Sequence, residues 1–449
     1  LHGAYECLKH HASEALQTQY LGKVATGEWL ATMCLTEPHA GSDLGLVNTR
    51  AVDLGDGRFA LCGQKIFISG GDHDLTENIV HLVLARLPDA PPGPKGLSLF
   101  LAPKWLPDGQ RNGAWCDRIE EKMGLHGSPT CVMRFDQATG WLVGQAGRGL
   151  SAMFIMMNAA RLHVAMQGIG LLDAAHQVAQ AYAWERRQMR APADRREPGT
   201  AADLIARHPA MQRVLDTQQA WVEGGRLLAY ETGLALDEAQ HAADPQHQAQ
   251  AQRWCSLATP ILKAMCTDQG FVGASACLQV LGGHGYVREW GVEQIVRDAR
   301  IAMIYEGTNE IQAVDLLLRK VLPDGGTELK ALVADLSALV PTGPRGESTQ
   351  QLLKEWQGLI DAVVQRHARA ADGAGETWAN AIAQDFLRLC ALALWSWSWC
   401  LLAHAAGPGT LRWQHLHQAW WQWVMPDWLR CQSLLLSNPQ HLPAASEPV

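Results

Sequence analysis

Ile304-Tyr305-Glu306-Gly307-Thr308-Asn309-Glu310-Ile311 sets an acidic side chain beside a glycine at the foot of a helix. Thr308 can cap that helix, Glu310 suits its first turn, and Ile311, Val314, Leu318 and Val321 recur at the spacing of an apolar helical stripe. Glu306 is therefore expected on a turn and not on a solvated helical face. Taken alone, the stretch describes a capped helix whose preceding glutamate faces water. The segments around it change that reading.

Immediately upstream, Gly282-Gly283-His284-Gly285 ends a helix expected over residues 257–281, and one short helix separates it from Glu306. A polar break around Asp244-Pro245 precedes that helix, and another is expected over 211–236. Residues 189–209, rich in Arg, Pro and Ala, read as an exposed excursion. Before them, Leu150, Met153, Met157, Ala160, Val164, Gly168, Leu171, Ala175 and Val178 describe one long helix continuing to Gln188, with the methionines as core filler.

Earlier still the texture changes to β-rich runs at 32–36, 47–52, 58–68, 79–85, 97–102 and 131–135, with Asp53-Leu54-Gly55-Asp56-Gly57 as a hairpin turn. No helical segment of useful length separates these runs. The sheet is thus expected to be antiparallel, a small sandwich or open barrel, which argues against the ordinary doubly wound dinucleotide fold. Gly168-Ile169-Gly170 imitates a dinucleotide fingerprint but lies inside a helix and is set aside.

Downstream, Leu322-Pro323-Asp324-Gly325-Gly326 closes the helical region, and residues 329–339, 352–367 and 381 onward read as a separable helical unit. The chain thus divides into 1–29 (helical), 30–145 (β), 146–325 (helical, carrying Glu306) and 326–449 (helical), an α+β arrangement. The apolar run 389–403 contains Ser396 and Ser398 and falls short of the about 20 residues of a membrane span, so a buried helix is expected.

The 449 residues, 47% of them hydrophobic, can build more than one domain around a large core. A net charge of -8 and a pI near 6.1 offer no basic field for nucleic acid. The 11 cysteines form no C-x-x-C pair and fit reduced thiols in a cytosol-like compartment. His10-His11, His73-Asp74 and His415-Leu416-His417 lack partner ligands, so no metal site is expected. The chain does not open on Met, and its first residues read as mid-helix, so a preceding portion is expected.

Four further stretches carry chemistry. Leu35-Thr36-Glu37-Pro38-His39-Ala40-Gly41-Ser42-Asp43 follows a strand and offers hydroxyls and close backbone amides to a polar planar ligand. Gly63-Gln64-Lys65-Ile66-Phe67-Ile68-Ser69-Gly70-Gly71 leaves an aromatic face and a hydroxyl beside two glycines, which suits an isoalloxazine or an ordinary strand end. Glu185-Arg186-Arg187-Gln188 puts guanidinium groups where they can serve a helix dipole or reach a diphosphate. The glycines of Gln279-Val280-Leu281-Gly282-Gly283-His284-Gly285 can end a helix or leave amides open to a phosphate.

In this order and on these elements the motifs resemble the acyl-CoA dehydrogenase family, from about residue 25 to 322. The excursion at 189–209 and the long tail resemble its enlarged branch with an extra C-terminal helical domain, a group that includes 3-methylmercaptopropionyl-CoA dehydrogenases. The resemblance implies FAD as cofactor and Glu306 as the base that takes the α-proton of an acyl-CoA while a β-hydride leaves for flavin N5, giving the trans-2-enoyl-CoA. Leu35, Thr36, Phe67, Ile68 and Ser69 then match positions lining the flavin ring. Thr308 and Glu310 match flavin contacts beside the base, and Arg186, Gln188, Gln279, Gly282 and Gly283 match positions for the diphosphate and adenine, partly across a subunit boundary. Ser42, Asn158, Arg161 and Gly307 match substrate-side positions. Phe67 stands where many members have Trp, and Ser69 where many have Thr; both keep the physical role.

The same likeness implies an electron-transfer flavoprotein as electron acceptor, a homodimer or homotetramer and a cytoplasmic location. It reads residues 1–29 as the end of an N-terminal helical domain. Trp395, Trp397, Trp399, Trp413, Trp420, Trp421, Trp423 and Trp428 make the tail unusual for the family, and a buried helical core or subunit contact is expected there. An acyl-CoA oxidase and an FAD-binding, nucleic-acid-associated relative are the alternatives.

Overall fold

A computed structural model describes residues 2–370, 373–405 and 411–437, apart from the side chains of Ile155, Asn158 and Ala159. The chain forms two compact units, Leu1–Ala160 and Arg161–Val449.

The first unit opens with α1 (His2–His11) and α2 (Glu14–Leu16), capped by Ser13, which accepts from Leu16 N. A π turn leads into α3 (Gly22–Thr26), and Gly27, left-handed at φ 77°, ends it. Strands β1 (Trp29–Cys34), β2 (Arg50–Asp53), β3 (Phe59–Ser69), β4 (Asn78–Arg86), β5 (Leu97–Pro103), β6 (Ala114–Ile119) and β7 (Thr130–Val143) follow. Their order is β1-β4-β2-β3-β7-β5, with β5 returning to β4, so the sheet closes into a small barrel with β1 and β6 attached outside the ring.

Most pairs are antiparallel as expected, but β1 runs parallel to β4, and β2 meets β4 in parallel at Arg50 and Arg86. The β2–β3 hairpin supplies the crossover that a helix supplies in a doubly wound sheet, which is why helix-free spacing misses the parallel pair. In β4, Val80, Leu82 and Leu84 face a cluster with Leu8, Tyr20 and Met156, while Val83 and Ala85 face the barrel interior with Phe100 and Phe135. Burial on both faces explains the uninterrupted apolar run. The mostly exposed β6 carries no such pattern and was not expected from the sequence.

The second unit takes up the C-terminal part of α4 (Gly149–Ala183), then α5 (Pro209–His241) and α6 (Pro245–Val280). Asp244 caps α6 ahead of Pro245. Helix α4 stops short of Gln188, and α5 and α6 extend beyond the expected spans. A Cβ on Gly168 would lie 2.4 Å from the Cys266 carbonyl oxygen, so this glycine serves a close crossing of α4 and α6. Next come α7 (Val292–Arg300) and α8 (Asn309–Val314), which continues as a π turn (Asp315–Val321). Gln312, Ala313, Leu316, Leu317 and Val321 are buried along this segment, whereas Ile311, Val314 and Leu318 are only partly so.

The remaining helices are α9 (Thr327–Ala338), α10 (Pro344–Arg369), α11 (Ala374–Ala405), α12 (Leu411–Ala419) and α13 (Pro426–Leu435). They are not packed as a separable body. Trp356, Phe386, Trp395, Trp399 and Trp420 share one core with Trp221, Leu228, Leu262 and Leu317. Among the described residues α11 alone is long and apolar enough to cross a membrane, yet 83% of its apolar window is buried inside the protein.

The excursion after α4 is ordered, contrary to its loop-like composition. The buried Asp203 carboxylate accepts from Ala191 N at 2.8 Å and Glu197 N at 2.7 Å and pairs with Arg190 at 3.3 Å.

Candidate active site

Glu306 has φ 56° and Gly307 φ 82°. A left-handed non-glycine residue costs about 1–2 kcal/mol, so this turn must be held from outside itself. Thr308 caps α8 by accepting from Ile311 N at 3.3 Å. Gln312 Nε2 donates to the carbonyls of Glu306 (3.2 Å) and Gly307 (3.3 Å). From α6, the buried Lys263 donates to the Gly307 carbonyl at 2.7 Å and to Asn309 Oδ1 at 2.9 Å. Asn309 Nδ2 donates to Asp268 Oδ1 at 2.6 Å, and the Tyr305 hydroxyl donates to Gln167. A Cβ on Gly307 would lie 2.7 Å from Gln312 Nε2, so a larger residue here would displace the side chain that bonds the turn, besides meeting the left-handed φ.

Glu306 is half-buried. Burial pushes its carboxyl above the ordinary glutamate value, against the pull of Arg161 and Lys263. No protein acceptor meets its backbone N–H among the described residues. Arg161, buried on α4, carries its charge against burial with support from Asp315 and Glu306. Glu310 is exposed and accepts from Gln384 of α11 at 2.9 Å. The side chain of Asn158 lies outside the described residues.

In the barrel unit, two motifs are tied into one device. Lys65 Nζ reaches Glu37 Oε1 at 2.8 Å and the Leu35 carbonyl at 2.9 Å, and Ile66 N donates to the Thr36 carbonyl at 2.9 Å. Phe67, left-handed at φ 61°, holds its ring out with 61% exposure. Ser69, two residues on, is exposed, and so is Ser42 in the loop after β1. Ile68 turns its side chain into the barrel, so it can offer a ligand only main-chain atoms.

All of Arg186, Gln188, Gln279, Gly282 and Gly283 line one cavity of about 490 Å³ in the second unit. Tyr182, Met189, His208 and His284 also line it. Tyr182 Oη lies 2.9 Å from His284 Nδ1, and His284 stacks on Trp290 at 4.8 Å. Gly282, at φ 60°, and Gly283 face open space, and the Arg186 guanidinium forms no ion pair among the described residues. A free guanidinium with open backbone, and separately an exposed aromatic ring, fit the diphosphate and ring ends of a flavin dinucleotide.

The sequence reading missed Lys263, Asn309, Gln312, Asp268 and Gln167 around the base. Lys263 alone left a trace, as the one charge in the otherwise apolar stretch 257–266.

A β barrel followed by a helical bundle carrying a carboxylate on a left-handed turn defines a class of flavin-dependent oxidoreductases. Residues 32–138 match the acyl-CoA dehydrogenase middle domain and residues 147–320 the acyl-CoA dehydrogenase C-terminal domain. The chain belongs to the acyl-CoA dehydrogenase family, whose cofactor is FAD. It is 44% identical over 415 residues to 3-methylmercaptopropionyl-CoA dehydrogenase of Ruegeria pomeroyi, covering 90% of this chain and 69% of that protein. Against a butyryl-CoA dehydrogenase of Syntrophomonas wolfei it is 36% identical over 354 residues, 76% of this chain and 58% of that protein, so it spans less than two thirds of that relative. An acyl-CoA dehydrogenase from Bacillus anthracis, solved in complex with FAD, shares the fold at TM-score 0.77 and 21% identity, over 94% of this chain and 72% of that one.

Proposed function

We propose that the protein oxidises an acyl-CoA thioester to its trans-2-enoyl-CoA, with Glu306 as the base that removes the α-proton. The observation that carries this reading is the Glu306 carboxylate itself, raised in basicity by burial on a turn that the fold holds in a costly conformation. Its backbone N–H, without a protein acceptor among the described residues, suits the thioester oxygen as negative charge develops there. Gly307 gives that oxygen access to the main chain. Arg161, buried near the base, favours the ionised carboxylate before proton transfer.

Bound FAD supplies the acceptor for the hydride that leaves the β-carbon. In the first unit Leu35, Thr36, Phe67 and Ser69 are proposed contacts for its ring; in the second, Thr308 and Glu310 are proposed flavin contacts next to the base, and Arg186, Gln188, Gln279, Gly282 and Gly283 would hold diphosphate and adenine, in part from a second copy of the chain in a homodimer or homotetramer. An electron-transfer flavoprotein is the proposed acceptor of the electrons. The unpaired cysteines among the described residues suit the reducing cytoplasm.

Substrate preference is proposed to follow the relative from Ruegeria pomeroyi, a short sulfur-substituted propionyl thioester. Anaerobic mixing of the FAD-loaded protein with a panel of acyl-CoAs tests the reading. Bleaching of the flavin absorbance, fastest with the methylthio-substituted propionyl ester, is expected. A flavin left oxidised by every acyl-CoA refutes the dehydrogenation reading, and rapid oxygen consumption after bleaching assigns an oxidase instead.

A further inference from the structure

Lys263 is a fully buried cation that proton abstraction by Glu306 does not itself require. It sits mid-helix on α6, in a stretch whose neighbours Leu257, Ala258, Ile261, Leu262, Ala264 and Met265 belong to the core, and burial disfavours its ammonium. Such a group persists when fixed acceptors meet it, and here they are the Gly307 carbonyl at 2.7 Å and Asn309 Oδ1 at 2.9 Å. Asn309 is itself locked, donating to Ala264 O at 3.1 Å and Asp268 Oδ1 at 2.6 Å. Both acceptors flank the turn that carries Glu306.

We propose that Lys263 is a positioning residue for Glu306: through the Gly307 carbonyl and the Asn309 side chain its ammonium locks the left-handed turn and fixes a positive charge close to the base. The proposal rests on the reading of Glu306 as the base. A left-handed glutamate relaxes unless both flanking peptides are pinned, and Gln312 alone supplies only longer bonds of 3.2 and 3.3 Å. Among the hydrogen bonds to the Glu306 and Gly307 carbonyls in the described residues, that from Lys263 is the shortest and the one that comes from another helix.

The charges that bear on this pair come from several elements: Arg161 on α4, Asp268 on α6, and Glu310 on α8. Arg388 of α11 acts on Asp268 in turn. Burial brings Lys263 down to about 8, with Asp268 and Glu306 holding it up. Lys263 and Arg161 in turn draw Glu306 downward against burial. Loss of Lys263 therefore raises the carboxyl, and a group that must be ionised to act then needs a higher pH.

The test is the pH profile of anaerobic flavin reduction in the FAD-loaded protein, with acyl-CoA affinity read separately from the flavin spectral shift. Lys263→Met is expected to slow reduction about 10²-fold, the usual effect of a base displaced by about 1 Å, and to move the acid limb of the profile upward. Affinity should stay within about threefold, because a group acting through the base does not bind substrate. Asn309→Ala keeps the ammonium and is expected to slow reduction with the limb in place. Wild-type rates in Lys263→Met, or a slowed Lys263→Met whose limb has not moved, overturn the proposal. Should Lys263→Met fail to bind FAD, Asn309→Ala decides: slowed reduction supports the proposal and a wild-type rate overturns it. Wild-type protein that no acyl-CoA reduces overturns the function itself, and the proposal with it, a result distinct from failure of the variants alone.

Discussion

Lys65 Nζ lies 2.8 Å from Glu37 Oε1 in the barrel unit, and both side chains are buried. Glu37 also accepts from Asn48 N at 2.7 Å and from Thr49 N at 3.0 Å. The pair fastens the Thr36-Glu37-Pro38 loop to the strand that presents Phe67, so two stretches that look independent in the sequence are one construction. Breaking a buried pair from one side leaves an uncompensated charge and costs about 3–5 kcal/mol. Lys65→Met is expected to lower stability by that amount, read as a shift in the urea midpoint.

The same pair predicts a pH dependence. Burial alone would raise the Glu37 carboxyl, but Lys65 and the hydrogen bonds from Thr49 and Asn48 outweigh it and hold the group below the ordinary range. A carboxyl depressed in the folded state stabilises above its unfolded value of about 4.3, and this contribution disappears as pH falls through the folded value. Glu37→Gln is expected to flatten the acid-side decline in stability, measured by urea unfolding from neutral pH downward.

Gly307→Ala meets two obstacles, a φ of 82° and Gln312 Nε2 at 2.7 Å from the new Cβ. The left-handed cost of about 1–2 kcal/mol is tolerable for folding, but displacement of the base is not tolerable for turnover. FAD should be retained and flavin reduction slowed about 10²-fold in stopped-flow. Adding Gln312→Ala relieves the clash but removes the bonds to the Glu306 and Gly307 carbonyls and leaves the dihedral strained, so the double variant is expected to recover none of the rate.

The tryptophans of the C-terminal helices differ in burial and hence in their predicted effects. Trp395 and Trp399 are buried on α11, and each donates its indole N–H at 3.1 Å to a carbonyl of α5, those of Trp221 and Ala220. Trp395→Ala is expected to cost about 3–5 kcal/mol in chemical denaturation. Trp423, partly exposed with Arg213 over its ring at 4.5 Å, should cost under about 1 kcal/mol.

Arg186 lines the cavity that also holds Gln279 and Gly283. A charged hydrogen bond to a diphosphate is worth about 1.5–3 kcal/mol, so Arg186→Ala is expected to weaken FAD binding by about tenfold or more, measured by flavin fluorescence on dilution.

Legibility in the sequence followed the range of the interaction. The Thr308 cap, the turn at Glu306 and the Gly55 hairpin were readable because their chemistry lies within a few residues. The Lys263 bond to Gly307 spans 44 residues, and nothing in either local pattern announces it. The stripe after Thr308 is displaced from the most buried face because that face carries the polar Asn309 and Gln312, which an apolar pattern does not register. The parallel pairing of β1 with β4 was hidden for a similar reason, since pairing partners belong to the tertiary fold. Ile68 sat in a ligand-matching motif, yet strand alternation turns it into the barrel. The tail looked separable because Gly325-Gly326 punctuates the chain, whereas its apolar faces complete the core of α5 and α6.

The central claim is that Glu306 is the base. Glu306→Gln removes the ionised carboxylate while keeping the size of the side chain, so the FAD-loaded variant should still give a spectral shift on binding acyl-CoA. Its rate of anaerobic flavin reduction is the deciding measurement. The account predicts that reduction falls by at least about 10⁴-fold, the upper range for loss of a general base. Reduction at a rate near that of the wild type would contradict it.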